Sequence, residues 1–504
     1  MDEDLHLDRT SEMPLYRQIV EQVMRRIEAG ELRPGTPLPP ERKLAASLGV
    51  NRTTVVTAYR ELVATGRVEA RVGHGTWVSD AGADEARSAV PWQTLLTPAA
   101  ERLRDPGMSD LLATMGKPGT ISFGAGAPAP EHFPIARFEQ ALAEAIAAHG
   151  PTVFEHGAVP GWAPLREALA AWTRRGDGNS GTARAQDVVV LHGSQQGLDL
   201  LTRVLLEPGD AVVVESPTYL GALQAFRGAG ARLLPVPLDR DGMRLDRLDA
   251  ALARHRPKFI YILPTFQNPT GTTLPLARRH ALLALAARYG VPVVEDDPYG
   301  ALAYGAPAPP TLHALDPYGG VIYLSTMSKV FLPGLRLGWL VAPPPVAEAV
   351  TLARQTSDVH PNSAMQHVLH AFLTRGWLAE HVTAMRAVYK GRRDVMLTAL
   401  DTYAPPGMTW TRPTGGYYVW CRLPNGLRAR ALAVEAAREG VALVAGDLFS
   451  PDRGERDAVR LNFTGTPEAS IPEGVRRLCT ALRRLSRDEG ATVSPALTGT
   501  RPVV

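Results

Sequence analysis

The chain has 504 residues, of which 45% are hydrophobic and 21% are charged, and this length predicts at least two folding units with ample apolar core. The formal net charge is only +3, so overall charge indicates no class of partner. No stretch approaches the roughly 18 apolar residues of a membrane helix, and the acidic N-terminus lacks the basic and apolar regions of a signal peptide.

Two cysteines, Cys421 and Cys479, are present. Their spacing fits neither a metal site nor the disulfide framework of a secreted domain. We therefore expect a cytoplasmic protein without a bound metal and without a membrane partner.

Residues 11–79 are predicted to form a compact helical unit. Between Pro14 and Ala29, apolar residues recur at about every fourth position, which is typical of an amphipathic helix. A second helix is expected to begin at Glu41, and Asn51 is suited to cap a third. Two helices joined by a short glycine-containing turn form the helix-turn-helix pattern, and the following segment "VEARVGHGTWVS" predicts a β-hairpin.

This unit is locally basic. From residue 33 to residue 78 there are seven Arg or Lys residues and three Glu residues, an excess of +4. The outward face of the third helix offers Arg52, Thr53, Thr57 and Arg60, whose donors suit phosphates and base edges. A solvated helical bundle with ordinary surface arginines is the alternative, but it does not account for the helices, the turn and the glycine-tipped hairpin occurring together.

The segments "PLYRQI", "LRPGTPLPPERKLAASLGVNRTTVVTAYREL" and "GHGTWV" resemble the winged helix-turn-helix domain of the GntR superfamily. One departure is Pro40, which stands where that family commonly has serine. The resemblance implies that double-stranded DNA is a partner, and that four residues contact it: Arg42, Arg52, Thr53 and His74.

Residues 80–117 are rich in Ala, Pro and charged residues, which predicts a linker with a short amphipathic piece between Trp92 and Leu103. Beyond it, apolar runs such as "DVVVLHG", "AVVVES" and "FIYILPTF" alternate with helical segments up to about residue 485. This alternation predicts an α/β domain with a mostly parallel sheet covered on both faces.

We expect this domain, residues 118–485, to have a large part at about 118–344 and a smaller α+β part at about 345–485. The remaining residues, 486–504, are polar and are predicted to be disordered.

Polar residues follow the strands of the predicted sheet. In such sheets ligands bind beyond the carboxyl ends of the strands, and a small-residue turn that begins a helix there is suited to a phosphate. Each of these residues alone has an ordinary structural interpretation, but their convergence on one edge predicts a shared site. In chain order they are Ser194, Gln195, Tyr219, Asn268, Asp296 and Tyr299.

A lysine follows the next strand, in "YLSTMSKVFLPGLRLGW". Lys329 lies among the hydroxyls of Thr326 and Ser328, with Arg336 shortly after. Lysine suits imine formation because its amine loses the proton when it is desolvated or near another cation. The hydroxyls and Arg336 are predicted to hold a phosphate. Alone, a Ser-Lys pair in a loop is usually a solvated lysine.

Together these groups match the needs of pyridoxal phosphate (PLP), which requires a lysine for its aldehyde and an acid beside its ring nitrogen. The motifs "PTFQNPTG", "EDDPYG" and "SK…PGLRLGW" resemble the fold type I aminotransferases. The resemblance implies that Lys329 is the Schiff-base lysine and that Asp296 pairs with the ring nitrogen.

The same resemblance implies the other contacts. Asn268 and Tyr299 would contact the ring hydroxyl, and Tyr219 would stack on the ring. Arg460, in "VRLNF", would bind the carboxylate of an effector through its guanidinium fork. The phosphate would be held by Ser194, Gln195, Thr326, Ser328 and Arg336. His156 is a departure, since such enzymes often have there a tyrosine that reaches the phosphate of the partner subunit.

Joined in one chain, the two domains resemble the MocR-like regulators. We therefore expect a PLP-dependent transcriptional regulator that senses PLP or an amino compound displacing Lys329, and not an enzyme. The resemblance also implies a head-to-tail homodimer that reads repeated half-sites. One alternative is a catalytically active aminotransferase with an accessory DNA-binding domain; another is a regulator whose pocket binds no cofactor.

Overall fold

The fold is described by a computed structural model for residues 5–9, 11, 13–71, 75–79, 95–103, 119–174 and 183–492. The chain divides into two compact units, one ending at Leu96 and the other beginning at Thr97. Within the described ranges, no helix has both the length and the apolar character that crossing a bilayer requires.

The first unit is a three-helix bundle followed by a hairpin. Its elements are α1 (Leu15–Glu28), α2 (Glu41–Ser47), α3 (Arg52–Ala64), β1 (Val68–Arg71) and β2 (Gly75–Val78), with β1 and β2 antiparallel. The predicted inner face of α3 is buried, and it is formed by Val55, Ala58, Tyr59 and Leu62. Asn51 caps α3 as expected, because its side-chain oxygen accepts a hydrogen bond from the Thr53 amide at 3.1 Å. The predicted helix-turn-helix and hairpin are thus confirmed.

The second unit begins with one helical turn, α4 (Pro98–Arg102), and a two-residue strand, β3 (Ile121–Ser122). The turn α4 lies inside the segment predicted to be a linker with some helix. Its Arg102 donates a hydrogen bond to the carbonyl of Gly228 at 3.3 Å, so this part of the segment is attached to the second unit.

An eight-stranded sheet forms the centre of the second unit. Its strands in chain order are β4 (Val188–Leu191), β5 (Ala211–Ser216), β6 (Arg232–Asp239), β7 (Gly242–Met243), β8 (Phe259–Ile262), β9 (Val293–Asp296), β10 (Val321–Thr326) and β11 (Gly338–Val341). The order across the sheet is β4-β11-β10-β9-β8-β5-β6-β7. Strands β10, β9, β8, β5 and β6 are mutually parallel, whereas β11 is antiparallel to both of its neighbours. The predicted mostly parallel sheet is confirmed.

Helices surround this sheet. They are α5 (Ile135–His149), α6 (Ala163–Thr173), α7 (Ser194–Leu205), α8 (Leu220–Gly228), α9 (Leu245–His255), α10 (Leu276–Tyr289), α11 (Leu312–Leu315) and α12 (Pro344–Gln355). Successive side chains of a strand point to opposite faces. Accordingly, Val212 and Val214 of β5 belong to one apolar cluster and Val213 belongs to another, so both faces of the sheet are buried.

The smaller part of the unit is α+β, as expected. It contains α13 (Ser363–Thr374), α14 (Trp377–Tyr403), β12 (Thr409–Trp410), β13 (Tyr418–Arg422), α15 (Ala429–Arg438), β14 (Val441–Ala442), β15 (Val444–Ala445), β16 (Ala458–Asn462) and α16 (Ile471–Thr492). Strands β12, β13, β16 and β15 form an antiparallel sheet in that order, and β3 pairs with β14 in parallel.

The last helix corrects one expectation. Residues 486–504 are predicted to be disordered, but α16 continues to Thr492, so the prediction is wrong for residues 486–492. The preceding turns are fixed by the buried Leu478 and Leu482, and extending a formed helix adds one hydrogen bond for each residue ordered. Residues 493–504 lie outside the described residues.

Candidate functional site

A cavity of about 430 Å³ lies at the carboxyl ends of the parallel strands. Asp296 ends β9 and Thr326 ends β10, while Ser194 and Tyr219 follow β4 and β5 closely. Because parallel strands end at the same edge, residues far apart in sequence meet here. The predicted residues that line the cavity are Ser194, Gln195, Tyr219, Asn268, Asp296, Tyr299, Thr326, Lys329 and Arg460.

Lys329 ends a short 3-10 turn that follows β10. Its Nζ donates a hydrogen bond to the carbonyl of Gly126 at 2.6 Å, and its own carbonyl accepts one from the Tyr417 hydroxyl at 2.6 Å. Burial lowers the pKa of the Lys329 amine; Tyr418 opposes this, and the positive charges of Arg460 and Arg336 lower the pKa further. The lysine is therefore fixed in place and inclined to become the neutral amine that attacks an aldehyde.

Asp296 is only 2% exposed. Its Oδ2 accepts a hydrogen bond from the Tyr261 hydroxyl at 2.7 Å, whereas its buried Oδ1 has no partner among the described residues. Burial raises the pKa of Asp296 to about 7. A buried acceptor without a partner fits an N–H donor in the cavity, as the predicted ring nitrogen of PLP would provide.

Sequence reasoning missed Tyr261, which positions Asp296. Val294 and Asp296 lie on the same face of β9, because alternate residues of a strand share a face. Tyr261, on the neighbouring strand β8, pairs with Val294, and its hydroxyl therefore reaches Asp296. The signal in the sequence was a hydroxyl-bearing side chain in an otherwise apolar strand, "FIYILP".

The predicted phosphate-binding residues surround the N-terminus of α7. Ser194 begins that helix after Gly193, whose φ of 83° favours glycine. A Cβ on Gly193 would come within 2.8 Å of the Arg336 Nη2, so the glycine also makes room for the guanidinium. Arg336 donates to the Ser328 hydroxyl at 3.3 Å, and the hydroxyls of Thr326 and Ser328 are 3.0 Å apart. Helix N-terminus, guanidinium and hydroxyls together fit a phosphate group.

Arg460 is 7% exposed and already has protein partners. Its Nη1 donates to the Asn268 side-chain oxygen at 3.0 Å, and its Nη2 donates to the Gly124 carbonyl at 2.8 Å. The guanidinium carbon lies 4.2 Å from the ring centroid of Tyr418 and 4.7 Å from that of Phe449. Its Nε is buried and has no partner among the described residues. A rigid, stacked guanidinium with a spare donor suits a carboxylate.

The aromatic residues of the cavity are linked by hydrogen bonds. The Tyr219 hydroxyl donates to the Gln195 side-chain oxygen at 3.1 Å, and the Tyr299 hydroxyl donates to that of Tyr418 at 3.2 Å. Sequence reasoning did not assign a role to Tyr418. The tandem tyrosines of "GGYYVW" were the signal available for it.

His156, the departure noted in the sequence, does not line the cavity. Its Nδ1 lies 2.9 Å from the Nε2 of His360, and both histidines border a surface depression beside Phe154, which is 66% exposed. Within one chain, His156 is therefore not brought to the predicted phosphate site.

The residues predicted to contact DNA lie on the surface of the first unit. Arg42, Arg52 and Thr53 are exposed on α2 and at the start of α3. The Arg52 guanidinium donates to Glu41 Oε2 through Nε at 3.2 Å and through Nη2 at 2.8 Å, so it is held at the junction of the two helices. His74 lies outside the described residues.

Comparison with known proteins matches both parts of the chain to known families. Residues 15–78 match "Bacterial regulatory proteins, gntR family", and residues 118–478 match "Aminotransferase class I and II". The aromatic-amino-acid aminotransferase 1 of Thermococcus litoralis is 40% identical over 74% of this chain and 90% of that protein. The probable rhizopine catabolism regulatory protein MocR of Rhizobium meliloti is 30% identical over 95% of this chain and 96% of that protein.

Among solved structures, the crystal structure of LysN, the α-aminoadipate aminotransferase of Thermus thermophilus, matches with a TM-score of 0.74. The two are 38% identical, and the match covers 79% of this chain and 99% of that one. That structure is complexed with N-(5'-phosphopyridoxyl)-L-leucine. The likeness establishes the fold type I domain and, with the fit of the cavity, its cofactor.

Relatives that align along 93 to 95% of this chain are named as regulators: MocR as a regulatory protein, and TauR of Rhodobacter capsulatus as an HTH-type transcriptional regulator. This favours the regulator over the alternative of a metabolic aminotransferase. The chain therefore belongs to the aminotransferase class I and II family and, with its GntR-type DNA-binding domain, is a PLP-dependent DNA-binding regulator of the MocR kind.

Proposed function

We propose that this regulator changes its DNA binding when PLP, or an amino compound that reacts at Lys329, occupies the cavity of the second unit. The observation that supports this most directly is the half-buried lysine of lowered pKa. Near it lie a carboxylate oxygen that has no partner among the described residues, a turn suited to a phosphate and a stacked arginine. A site of this composition is of use to a DNA-binding protein as a sensor.

We assign the following contacts to the cofactor. Ser194, Gln195, Thr326, Ser328 and Arg336 bind its phosphate, Tyr219 covers the ring, and the side chains of Asn268 and Tyr299 contact the ring hydroxyl. Asp296 holds the proton at the ring nitrogen. When bound, the cofactor supplies a carbonyl carbon for amines and an electron-withdrawing ring. Lys329 supplies the amine that an incoming effector replaces.

Arg460 is the residue that we expect to recognise an effector with a carboxylate. Its position is fixed by Asn268 and by stacking between Tyr418 and Phe449, so little side-chain entropy is lost when a carboxylate binds. The effector class that fits is an amino acid-like compound, with its amine near Lys329 and its carboxylate at Arg460.

Effector binding shifts the protein between two arrangements only by its differential affinity for them. We propose that the second units form a head-to-tail homodimer, in which His156 approaches the phosphate site of the partner subunit. Two DNA-binding units in one dimer would then contact repeated half-sites. Because these units must reach the chromosome, we propose a cytoplasmic location.

The test is a gel-shift and footprint on DNA upstream of the gene, with and without PLP, followed by a screen of amino acids at saturating PLP. Protection of two repeats that changes with PLP or with an amino acid supports the proposal. Arg52→Ala should need more protein for the same protection but keep the cofactor, and Lys329→Ala should keep protection but lose its response to PLP or to an amino acid. Protection indifferent to every ligand would refute sensing, and turnover of amino acid with keto acid would instead support the aminotransferase.

A further inference from the structure

Tyr418, at the start of β13, lies against Gly126, the residue that the Lys329 amine also contacts. A Cβ on Gly126 would come within 2.2 Å of the Tyr418 hydroxyl oxygen, and Lys329 Nζ donates to the carbonyl of that same Gly126 at 2.6 Å. Tyr418 is 2% exposed and lines the cavity. The phenol and the amine are therefore held over one glycine, which leaves space for both.

The surroundings of Tyr418 favour a negative charge on its oxygen. The Arg460 guanidinium carbon lies 4.2 Å from the centre of its ring, and the Tyr299 hydroxyl donates a hydrogen bond to its oxygen at 3.2 Å. A nearby cation and a hydrogen bond to the ionised form both stabilise a phenolate. Burial would raise the pKa of Tyr418, but Arg460, Lys329 and the hydrogen bond from Tyr299 hold it below its ordinary value.

The other tyrosines of the cavity differ in this respect. Burial raises the pKa of Tyr219, of Tyr299 and of the adjacent Tyr417 above the ordinary value. Arg460 lowers the pKa of Tyr219 and of Tyr299 but does not reverse the effect of burial. Among these phenols, Tyr418 is thus the one placed to ionise.

Other charged groups also face Lys329. Arg460 on β16 and Arg336 before β11 disfavour its ammonium form, whereas Asp296 on β9 and Tyr418 on β13 favour it. Asp296 has the weaker influence of the latter two, and its pKa of about 7 leaves it partly neutral near pH 7. Tyr418 has the larger influence and lies against Gly126, whose carbonyl accepts the hydrogen bond from the lysine amine, whereas Asp296 is bonded to Tyr261.

We propose that Tyr418 is a positioning residue for Lys329: its ionised hydroxyl is the counter-ion of the lysine ammonium and accepts the proton that the nitrogen loses on becoming a nucleophile. In that step an N–H bond of the ammonium breaks and an O–H bond of the phenol forms, giving a neutral amine and a neutral phenol. The inference rests on the proposed role of Lys329 and adds the group that controls its protonation.

The first test compares Tyr418→Phe with the wild type by titrating the visible absorbance of the PLP-bound protein against pH. Loss of the counter-ion should lower the apparent pKa of the absorbance change by about one unit, since an opposite charge at short range shifts a pKa by that order. Tyr417→Phe is the matched control, because its hydroxyl contacts the carbonyl of Lys329 and not the amine. Equal titrations of Tyr418→Phe and the wild type would overturn the proposal.

The second test needs no cofactor. The chain has five lysines, Lys43, Lys117, Lys258, Lys329 and Lys390, so reductive methylation by formaldehyde and cyanoborohydride can be followed at each by mass spectrometry. In cofactor-free Tyr418→Phe, the pH midpoint of Lys329 methylation should fall by about one unit, and the other four lysines should not change. An unchanged midpoint refutes the role of Tyr418, whereas failure of the wild type to bind PLP counts against the proposed function alone.

Discussion

The surface around Arg52 that is predicted to contact DNA and the cofactor cavity use charged residues in opposite ways. Arg52 keeps its side chain 55% exposed and meets Glu41 at the surface, where an ion pair contributes little to stability. Asp296 and Arg460 are 2% and 7% exposed, and each depends on named partners to remain there. Exposed charges can be exchanged with small consequences for the fold, whereas buried ones cannot, because a charge left without its partner is costly in a dry site.

The largest effect is expected in the cavity, at Lys329. Lys329→Ala should abolish covalent attachment of PLP, because the amine that forms the bond is removed. After borohydride reduction and denaturation, the wild type should retain the cofactor and the variant should retain none. Lys258→Ala, which removes a surface lysine paired with Asp210, is the control and should behave as the wild type. Cofactor fixed to the Lys329 variant would show that another amine forms the bond.

Asp296→Asn tests whether a buried carboxyl group makes the stability of the protein depend on pH. The pKa of Asp296 is about 7 in the folded protein against an ordinary 3.8, so the folded state keeps a proton that the unfolded state releases. Its contribution to the stability of the cofactor-free protein is full below about pH 4 and is lost as the pH rises to about 7, by at most about 4 kcal/mol.

The amide of Asn imitates the neutral acid, so Asp296→Asn should lose less stability between pH 5 and pH 8 than the wild type. Denaturant unfolding of the second unit at both pH values measures this. The same variant should bind PLP at least tenfold more weakly, since a hydrogen bond to a charged group is lost. Identical pH profiles for the variant and the wild type would show that Asp296 does not carry the proton.

A moderate effect is expected on the surface that is predicted to contact DNA. Arg52→Ala should weaken specific DNA binding about tenfold at physiological salt and leave the spectrum of bound PLP unchanged. If the contact is to a phosphate, the dependence of log affinity on log salt should also become shallower by about one. Arg25→Ala removes another exposed arginine near a glutamate, on α1, and should change affinity less than twofold. Equal losses for both variants would indicate a general charge effect instead of a contact.

The smallest effect is expected at the cap of α3. Asn51→Ala removes the side-chain acceptor for the Thr53 amide and should destabilise the first unit by about 1 kcal/mol. Asn51→Asp keeps an acceptor and should retain most of the stability. Thermal unfolding of the first unit would distinguish the two variants by their melting temperatures. The same melting temperature for both would show that the cap contributes nothing.

Much of the secondary structure of this molecule could be predicted from local sequence. The apolar spacing of α3 and the cap residue Asn51 define a helix through contacts within a few residues, so the DNA-binding unit was predictable element by element. The cavity was predictable to the extent that Asp296, Thr326 and Lys329 each follow a strand, because parallel strands bring their carboxyl ends to one edge.

Only the tertiary structure decided which of these groups act together. Tyr261 reaches Asp296 across two neighbouring strands, and Arg460 engages Asn268 from a position 192 residues away. Tyr418 meets Tyr299 across 119 residues. Hydrogen bonds of this kind depend on the packing of separate elements, and they leave no periodic pattern in the chain. The sequence alone therefore determined the elements and the residue types at their ends, while packing determined the burial, and with it the protonation, of the groups in the cavity.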